Sequence, residues 1–253
     1  MLVNERHDKI LNILKERKSA TVNYLASVLY ISKSTIRRDL ATLQSKGFIR
    51  HEYGGAILVN ESAYTLPIEF RTLKAKSEKR NIGKEAALLV EDGDVIFLDS
   101  SSTVLYMIEH LRSKNSIIAV TNNFRALEML NTLENIKVYS TGGIFSQNSM
   151  SYTGRFALAT IERISIDKMF FSPTGISSNG LLLECGEQEN LIRCAALSRS
   201  AKKICLCDHS KLNKNYLFEI CSITDIDYII SDTDIFATIN ITDKNKPILL
   251  ISK

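Results

Sequence analysis

From Lys79 onward, short apolar runs alternate with helical patterns, and no other feature of this 253-residue chain narrows its fold as much. The runs are Val95–Leu98, Ile117–Val120, Ile136–Tyr139, Met169–Phe171, Ile204–Cys207, Tyr228–Ile230 and Ile248–Ile251. Helical spacing falls at 82–90, 104–112, 124–133 and 187–201. Strands buried on both faces read as near-continuous apolar runs, and parallel neighbours need a crossover that is usually a helix. The alternation predicts a larger α/β domain with a mainly parallel sheet over residues 79–253.

Five of these runs end in polar turns. Val95–Leu98 leads into Asp99-Ser100-Ser101-Ser102-Thr103, Ile117–Val120 into Thr121-Asn122-Asn123, and Ile136–Tyr139 into Ser140-Thr141-Gly142-Gly143. Met169–Phe171 leads into Ser172-Pro173-Thr174-Gly175, and Ile204–Cys207 into Asp208-His209-Ser210-Lys211. Any single turn of this kind is best read as a helix cap. A parallel sheet, however, brings all of them to one edge, where hydroxyls, amides and bare glycine N–H groups suit a phosphate or polyol. Ser101, Ser102 and Thr103 at a helix start and the Gly142-Gly143 amides are expected to hold the phosphate. Lys211 is expected to add a charge-assisted contact, and Asp99 to accept from ligand hydroxyls. Neither a GxxxxGK[ST] loop nor a GxGxxG turn is present, which argues against ATP and dinucleotides, and no cofactor is expected.

Residues 1–58 have another pattern. Residues 4–17 and a short stretch after Thr21 read as amphipathic helices, and a third helix, SKSTIRRDLATLQSK, closes at Gly47. In that third helix Ile36, Leu40 and Leu43 form an apolar stripe, while Ser34, Arg37, Arg38, Ala41 and Ser45 lie opposite. Arginine forks the O6 and N7 of guanine, hydroxyls reach phosphates, and alanine permits close approach. Asp39, on the flank, would repel phosphate and is expected to take an intramolecular partner. Two strand-like runs around Gly54-Gly55 predict a hairpin, with Arg50 and His51 on it. Three helices and a hairpin make a winged helix-turn-helix, a small α+β domain whose third helix enters the major groove while the wing meets the backbone. Charge agrees: this segment holds ten Lys and Arg against five Asp and Glu, and the remainder 22 against 23. Residues 59–78, interrupted by Pro67, are expected to be a linker from which Phe70 and Arg71 can dock.

The stretch from Arg6 through VNYLASVLYISKSTIRRDLATLQSKGFIRHEYGGA resembles the DNA-binding domain of the DeoR family of bacterial transcriptional regulators. The resemblance implies DNA contacts by Ser34, Thr35, Arg37 and Arg38. Later pieces, IFLDSSST, VTNN, STGG, PTGI, NGLLLE and CDHSK, resemble the effector domain of the same regulators. That domain is similar to ribose-5-phosphate isomerase and CoA transferase folds and takes a phosphorylated sugar or related effector. Carried over, Asp99, Ser101, Thr103, Asn122, Gly142, Gly143, Asp208 and Lys211 line the site. Where the family often has lysine, this chain has Arg193, assigned to the site as a planar fork able to grip phosphate.

The expected partners are double-stranded operator DNA, a phosphorylated sugar or polyol, and further copies of the chain in a homodimer or homotetramer. The competing reading is a sugar-phosphate isomerase with an appended DNA-binding domain, using Glu184, Glu187 or Asp208 as base and Lys211 as electrostatic partner. No apolar run approaches the roughly 18 residues that span a bilayer, and the charged start MLVNERHDKI lacks a signal-peptide core, so a cytoplasmic location is expected. The five cysteines are expected to be reduced, with no metal bound, since they and the four histidines are scattered. Cys205 and Cys207 are expected on opposite faces of a strand.

Overall fold

Two compact units, Met1–Pro67 and Ile68–Lys253, divide the chain. A computed structural model describes residues 3–45, 48–52, 54–58, 68–241 and 246–252. The first unit runs α1 (Val3–Arg17), β1 (Ser19–Thr21), α2 (Val22–Leu29), α3 (Lys33–Ser45), β2 (Ile49–Glu52) and β3 (Gly55–Leu58). Ile36, Leu40 and Leu43 of α3 are buried with Ile10, Leu14 and Leu25, as the stripe requires. β1 is an addition to the expected elements, because three residues are too few to show alternation. It pairs antiparallel with β3, giving the order β1-β3-β2. Gly55 permits this: a Cβ there would lie 2.5 Å from the Ala20 carbonyl oxygen. Gly47, expected to end α3, lies outside the described residues, as do Tyr53 and Val59 of the expected hairpin.

The second unit begins with α4 (Ile68–Leu73) and α5 (Lys76–Leu88), then β4 (Val95–Leu98), α6 (Ser102–Ile108), β5 (Ile117–Thr121), α7 (Phe124–Leu130) and β6 (Ile136–Ser140). It continues through β7 (Ile144–Ser146), β8 (Ser151–Thr153), α8 (Arg155–Ile161), β9 (Ile166–Phe171), β10 (Gly175–Ile176), β11 (Leu181–Glu184) and α9 (Glu187–Ser198). Last come β12 (Ser200–Cys207), β13 (Phe218–Ser222), β14 (Tyr228–Ser231) and β15 (Ile248–Ile251). Among the described residues the main sheet has seven strands in the order β15-β14-β12-β9-β4-β5-β6, every neighbouring pair parallel. These seven contain the seven apolar runs. β10, β11 and β13 form a small antiparallel sheet, and β7 pairs with β8.

Alternation along the strands builds two cores. Ile96, Leu98, Phe170, Ile204, Leu206 and Ile230 face one way, with Ile82 and Ala86 of α5 and Val104 of α6. Phe97, Met169, Phe171, Cys205, Cys207 and Ile229 face the other, with Ala157 of α8 and Ile192 and Ala196 of α9. Cys205 and Cys207 therefore share a face, contrary to expectation: residues two apart in a strand point the same way. All five cysteines are free thiols.

The expected linker is shorter at its carboxyl side. Ile68 is buried and its N–H donates to Asn148 O, while Tyr106 Oη donates to Thr72 O at 2.7 Å, so α4 is docked on the large unit. α5 then crosses α6 closely at Gly83, where a Cβ would come within 2.6 Å of the Tyr106 backbone.

Candidate functional site

Ser32 stands directly ahead of α3. Its Oγ accepts from Thr35 N at 3.3 Å and bonds Ser34 Oγ and Thr35 Oγ1, each at 2.9 Å. Ser34, Arg37, Arg38 and Ala41 are exposed along the helix, with Thr35 half-buried at its start. Among the described residues neither arginine forms an ion pair, which leaves two guanidinium forks for an outside acceptor. Asp39 is buried and turned inward. Arg6 Nε and Nη2 fork its two oxygens at 2.5 and 2.8 Å, and His7 Nε2 lies 3.1 Å from Oδ1. Burial pushes the Asp39 carboxyl up, but the bonds from Arg6 and His7 hold it below the usual range. One contact thus removes a negative charge from the exposed face and ties α3 to α1. On the wing, exposed Arg50 pairs with Glu52 at 2.8 Å, and His51 is exposed beside it. An exposed pair of this kind contributes about 0–1 kcal/mol and gives way readily to a phosphate.

In the large unit β4 is a switch point. The chain leaves it toward β5 and β6 on one side, while β9, β12, β14 and β15 fill the other. Ligands of open parallel sheets enter the crevice outside the carboxyl ends of strands at such a point. Asp99, Thr103 and Ser172 occupy it. Asp99 Oδ1 accepts from Ser101 N at 2.9 Å, and its Oδ2 accepts from Ser172 N at 3.3 Å and Arg193 Nε at 2.7 Å. Arg193 reaches Glu184 Oε2 with its other arm. Burial pushes the Glu184 carboxyl up, but Arg193 beside it and the hydroxyl of Thr174 hold it at about 2. Asp99, Arg193 and Glu184 are each at most 3% exposed, so they form a closed carboxylate–guanidinium–carboxylate strut beneath the crevice.

Three further cations surround the same edge without being closed off. Lys79 is 2% exposed, yet among the described residues its Nζ finds only neutral acceptors, Arg71 O and, at 3.1 Å, Ser102 Oγ. Burial, helped by nearby Lys211 and opposed by Asp208, pushes this amine down to about 7. Burial also lowers Lys211 against the pull of Asp208, and lowers Arg71 against the pull of Glu184. Arg71 Nε, Asn122 Oδ1 and Asp208 Oδ2 are buried with no hydrogen-bond partner among the described residues. His209, at the rim, bonds Asp232 through Nδ1 at 2.5 Å, which raises its pKa.

A DeoR-like helix-turn-helix domain model matches residues 6–62, and a DeoR C terminal sensor domain model matches residues 74–233. The chain belongs to the DeoR family of transcriptional regulators. It is 32% identical to the HTH-type transcriptional regulator YulB of Bacillus subtilis (strain 168), over 92% of this chain and 90% of that one. It is 29% identical to the lactose phosphotransferase system repressor of Staphylococcus epidermidis (strain ATCC 35984), over 91% and 92% of the two chains. Among solved structures it is similar to a D-ribose-5-phosphate isomerase in complex with phospho-erythronic acid. That likeness has 20% identity and a TM-score of 0.41, and covers about half of each chain, 54% in both cases. Among the described residues no helix is long and apolar enough to cross a membrane.

For this DeoR-family regulator the structure redistributes the expected effector residues. Asp99, Ser101, Ser102, Thr103, Asn122, Asp208 and Lys211 do come to the carboxyl edge of the sheet. Arg193 differs from expectation, since two carboxylates occupy its fork, and Asp99 has its oxygens engaged by Arg193 and two backbone amides. Ser101 Oγ caps α6 by accepting from Val104 N. The Gly142 amide already donates to Ser140 Oγ at 3.1 Å, and Gly143 is required for packing, since a Cβ would lie 2.4 Å from Thr153 O. Arg71 and Lys79 are further cations at this edge that the sequence pattern does not place there. Lys79 was legible in principle: with Ile82, Gly83 and Ala86 it fits the three-and-four spacing of a buried stripe. In the charged string KAKSEKR it reads instead as one of several solvated lysines.

Proposed function

We propose that this DeoR-family regulator represses a carbohydrate-metabolism operon and leaves its operator when a phosphorylated sugar or polyol binds the sheet edge. The partnerless atoms there carry the reading. A buried cationic donor, Arg71 Nε, calls for an anion, while two buried acceptors, Asn122 Oδ1 and Asp208 Oδ2, call for hydroxyl donors. One ligand bearing both a phosphate and hydroxyls supplies all three, and each buried polar group left without a partner costs about 1–3 kcal/mol. The phosphate lies with Arg71, Lys79 and Lys211, and the hydroxyls with Asn122 and Asp208. The sugar-system repressor among the relatives supports the choice of a sugar. The low pKa of Glu184 leaves that carboxylate, one of the three candidate bases, weak as a base, which disfavours the isomerase reading at that residue.

On DNA, Ser34, Thr35, Arg37, Arg38 and Ala41 meet the major groove, and Arg50 and His51 meet the backbone. Two or more copies assemble through residues 68–253, so that paired third helices span two half-sites. The effector changes operator affinity only by its preference between the two arrangements of the assembly. Calorimetry with one sugar in free and phosphorylated forms tests the pocket, and gel shift with the same pair tests release. The phosphorylated form alone is expected to bind and release DNA, and equal affinity for the two forms refutes the assignment.

A further inference from the structure

We propose that Lys79 takes up a proton when an anion enters the sheet-edge site, so that effector binding and operator release strengthen as the solution is acidified through the neutral range. The inference rests on the phosphorylated-effector reading and adds a regulatory input to it. Its basis is geometric. Lys79 Nζ is buried at the junction of α4, α5 and α6 and donates to a backbone carbonyl, Arg71 O, and to a hydroxyl, Ser102 Oγ. A neutral amine satisfies both acceptors. An ammonium in the same place has a charge to stabilise, and among the described residues no carboxylate forms an ion pair with it.

The charges facing this amine are mostly of its own sign. From α4 comes the Arg71 guanidinium, from the turn after it Lys74, and from the turn after β12 Lys211 and one carboxylate, Asp208. α6 presents only the Ser102 hydroxyl. On α5 itself the neighbouring Glu78 faces His209 and Asp208, and His209 is held by Asp232 after β14. In the free protein this environment and burial place the amine close to half-protonated near neutral pH. A dianion among Arg71, Lys79 and Lys211 reverses the local balance, and the Nζ lone pair accepts a proton from solvent. Above the free pKa each binding event consumes close to one proton, and affinity falls by about tenfold per pH unit.

Sulfate and inorganic phosphate are suitable probes of the full-length protein, because sulfate remains a dianion throughout and separates lysine titration from that of the ligand. Calorimetry at about pH 8, in buffers of different ionisation heat, is expected to show uptake of close to one proton with sulfate. Affinity should weaken roughly tenfold between pH 8 and pH 9. Lys79→Arg, always charged, is expected to bind with no proton uptake and a flat profile across that interval. Lys79→Met should bind weakly and equally flatly, with its thermal transition confirming the fold. His209→Gln, at the rim, should keep the wild-type uptake. Sulfate binding without proton uptake, or uptake persisting in Lys79→Arg, overturns the linkage while leaving the anion site intact. Failure of both anions to bind at any pH removes the site and the phosphorylated-effector reading with it.

Discussion

The two units place their cations in opposite ways. In the DNA-binding unit Arg37 and Arg38 stand exposed on α3, while the one carboxylate of that helix is turned inward and neutralised by Arg6. In the sensor unit Arg193 and Lys79 are buried, one locked between two carboxylates and the other left with neutral partners. An exposed cation costs the fold little and is available to a polyanion. A buried cation must be paired, titrated or met by a ligand, so its environment records what it is for.

The sharpest test of this contrast is Arg193→Met. Removing the guanidinium leaves Asp99 and Glu184 buried without their countercharge, and a loss of about 3–5 kcal/mol in unfolding free energy is expected in urea titrations. A loss below about 1 kcal/mol would place Arg193 among the surface cations. The same strut sets the acid limb. Glu184, held at about 2 when folded and near 4.3 when unfolded, contributes stability that is complete above the unfolded value. That contribution fades as pH falls toward the folded one. Glu184→Gln should flatten stability across that interval.

On the exposed side, Arg37→Ala and Arg38→Ala should each weaken operator binding by about 1–3 kcal/mol where the arginine reads a base. Their thermal transitions should stay within about 0.5 kcal/mol of wild type in stability. An arginine that meets only phosphate should instead lower affinity evenly across sequences and reduce the salt slope by about one. Gel shifts at two salt concentrations separate these outcomes, and unchanged affinity in both variants would remove α3 as the reading helix.

Per pH unit, Lys79 gives a smaller effect of distinctive sign. Its folded pKa of about 7 lies below the unfolded value of about 10.4, so the unfolded chain binds the extra proton between them. Stability therefore rises with pH through that window, by at most about 1.4 kcal/mol per unit, and falls as pH drops toward 7. Denaturation of Lys79→Met at neutral and alkaline pH should lack this rise. The smallest effect belongs to Ser32→Ala, which removes the cap of α3 and should cost about 1 kcal/mol of stability by thermal melting. It should also weaken operator binding if the hydroxyls of Ser34 and Thr35 need Ser32 to hold them.

The sequence by itself determined the strands of the main sheet and the two faces of α3. The seven apolar runs all lie within strands of the main sheet, the stripe of Ile36, Leu40 and Leu43 is buried, and Arg37 and Arg38 are outside, because periodicity is a local property of the chain. The tertiary structure alone decided which charges meet. Arg193 and Asp99 are 94 residues apart and Lys79 and Ser102 are 23 apart, and no local pattern pairs them. The switch of direction at β4 brings the turn after that strand against the turn after β9. The close crossing of α5 over α6 at Gly83 carries a lysine that reads as solvated into the dry edge of the sheet. Two environments for a buried cation, paired in a strut or left with neutral partners, came from that packing, since burial makes the nearest opposite charge, or its absence, the deciding energy.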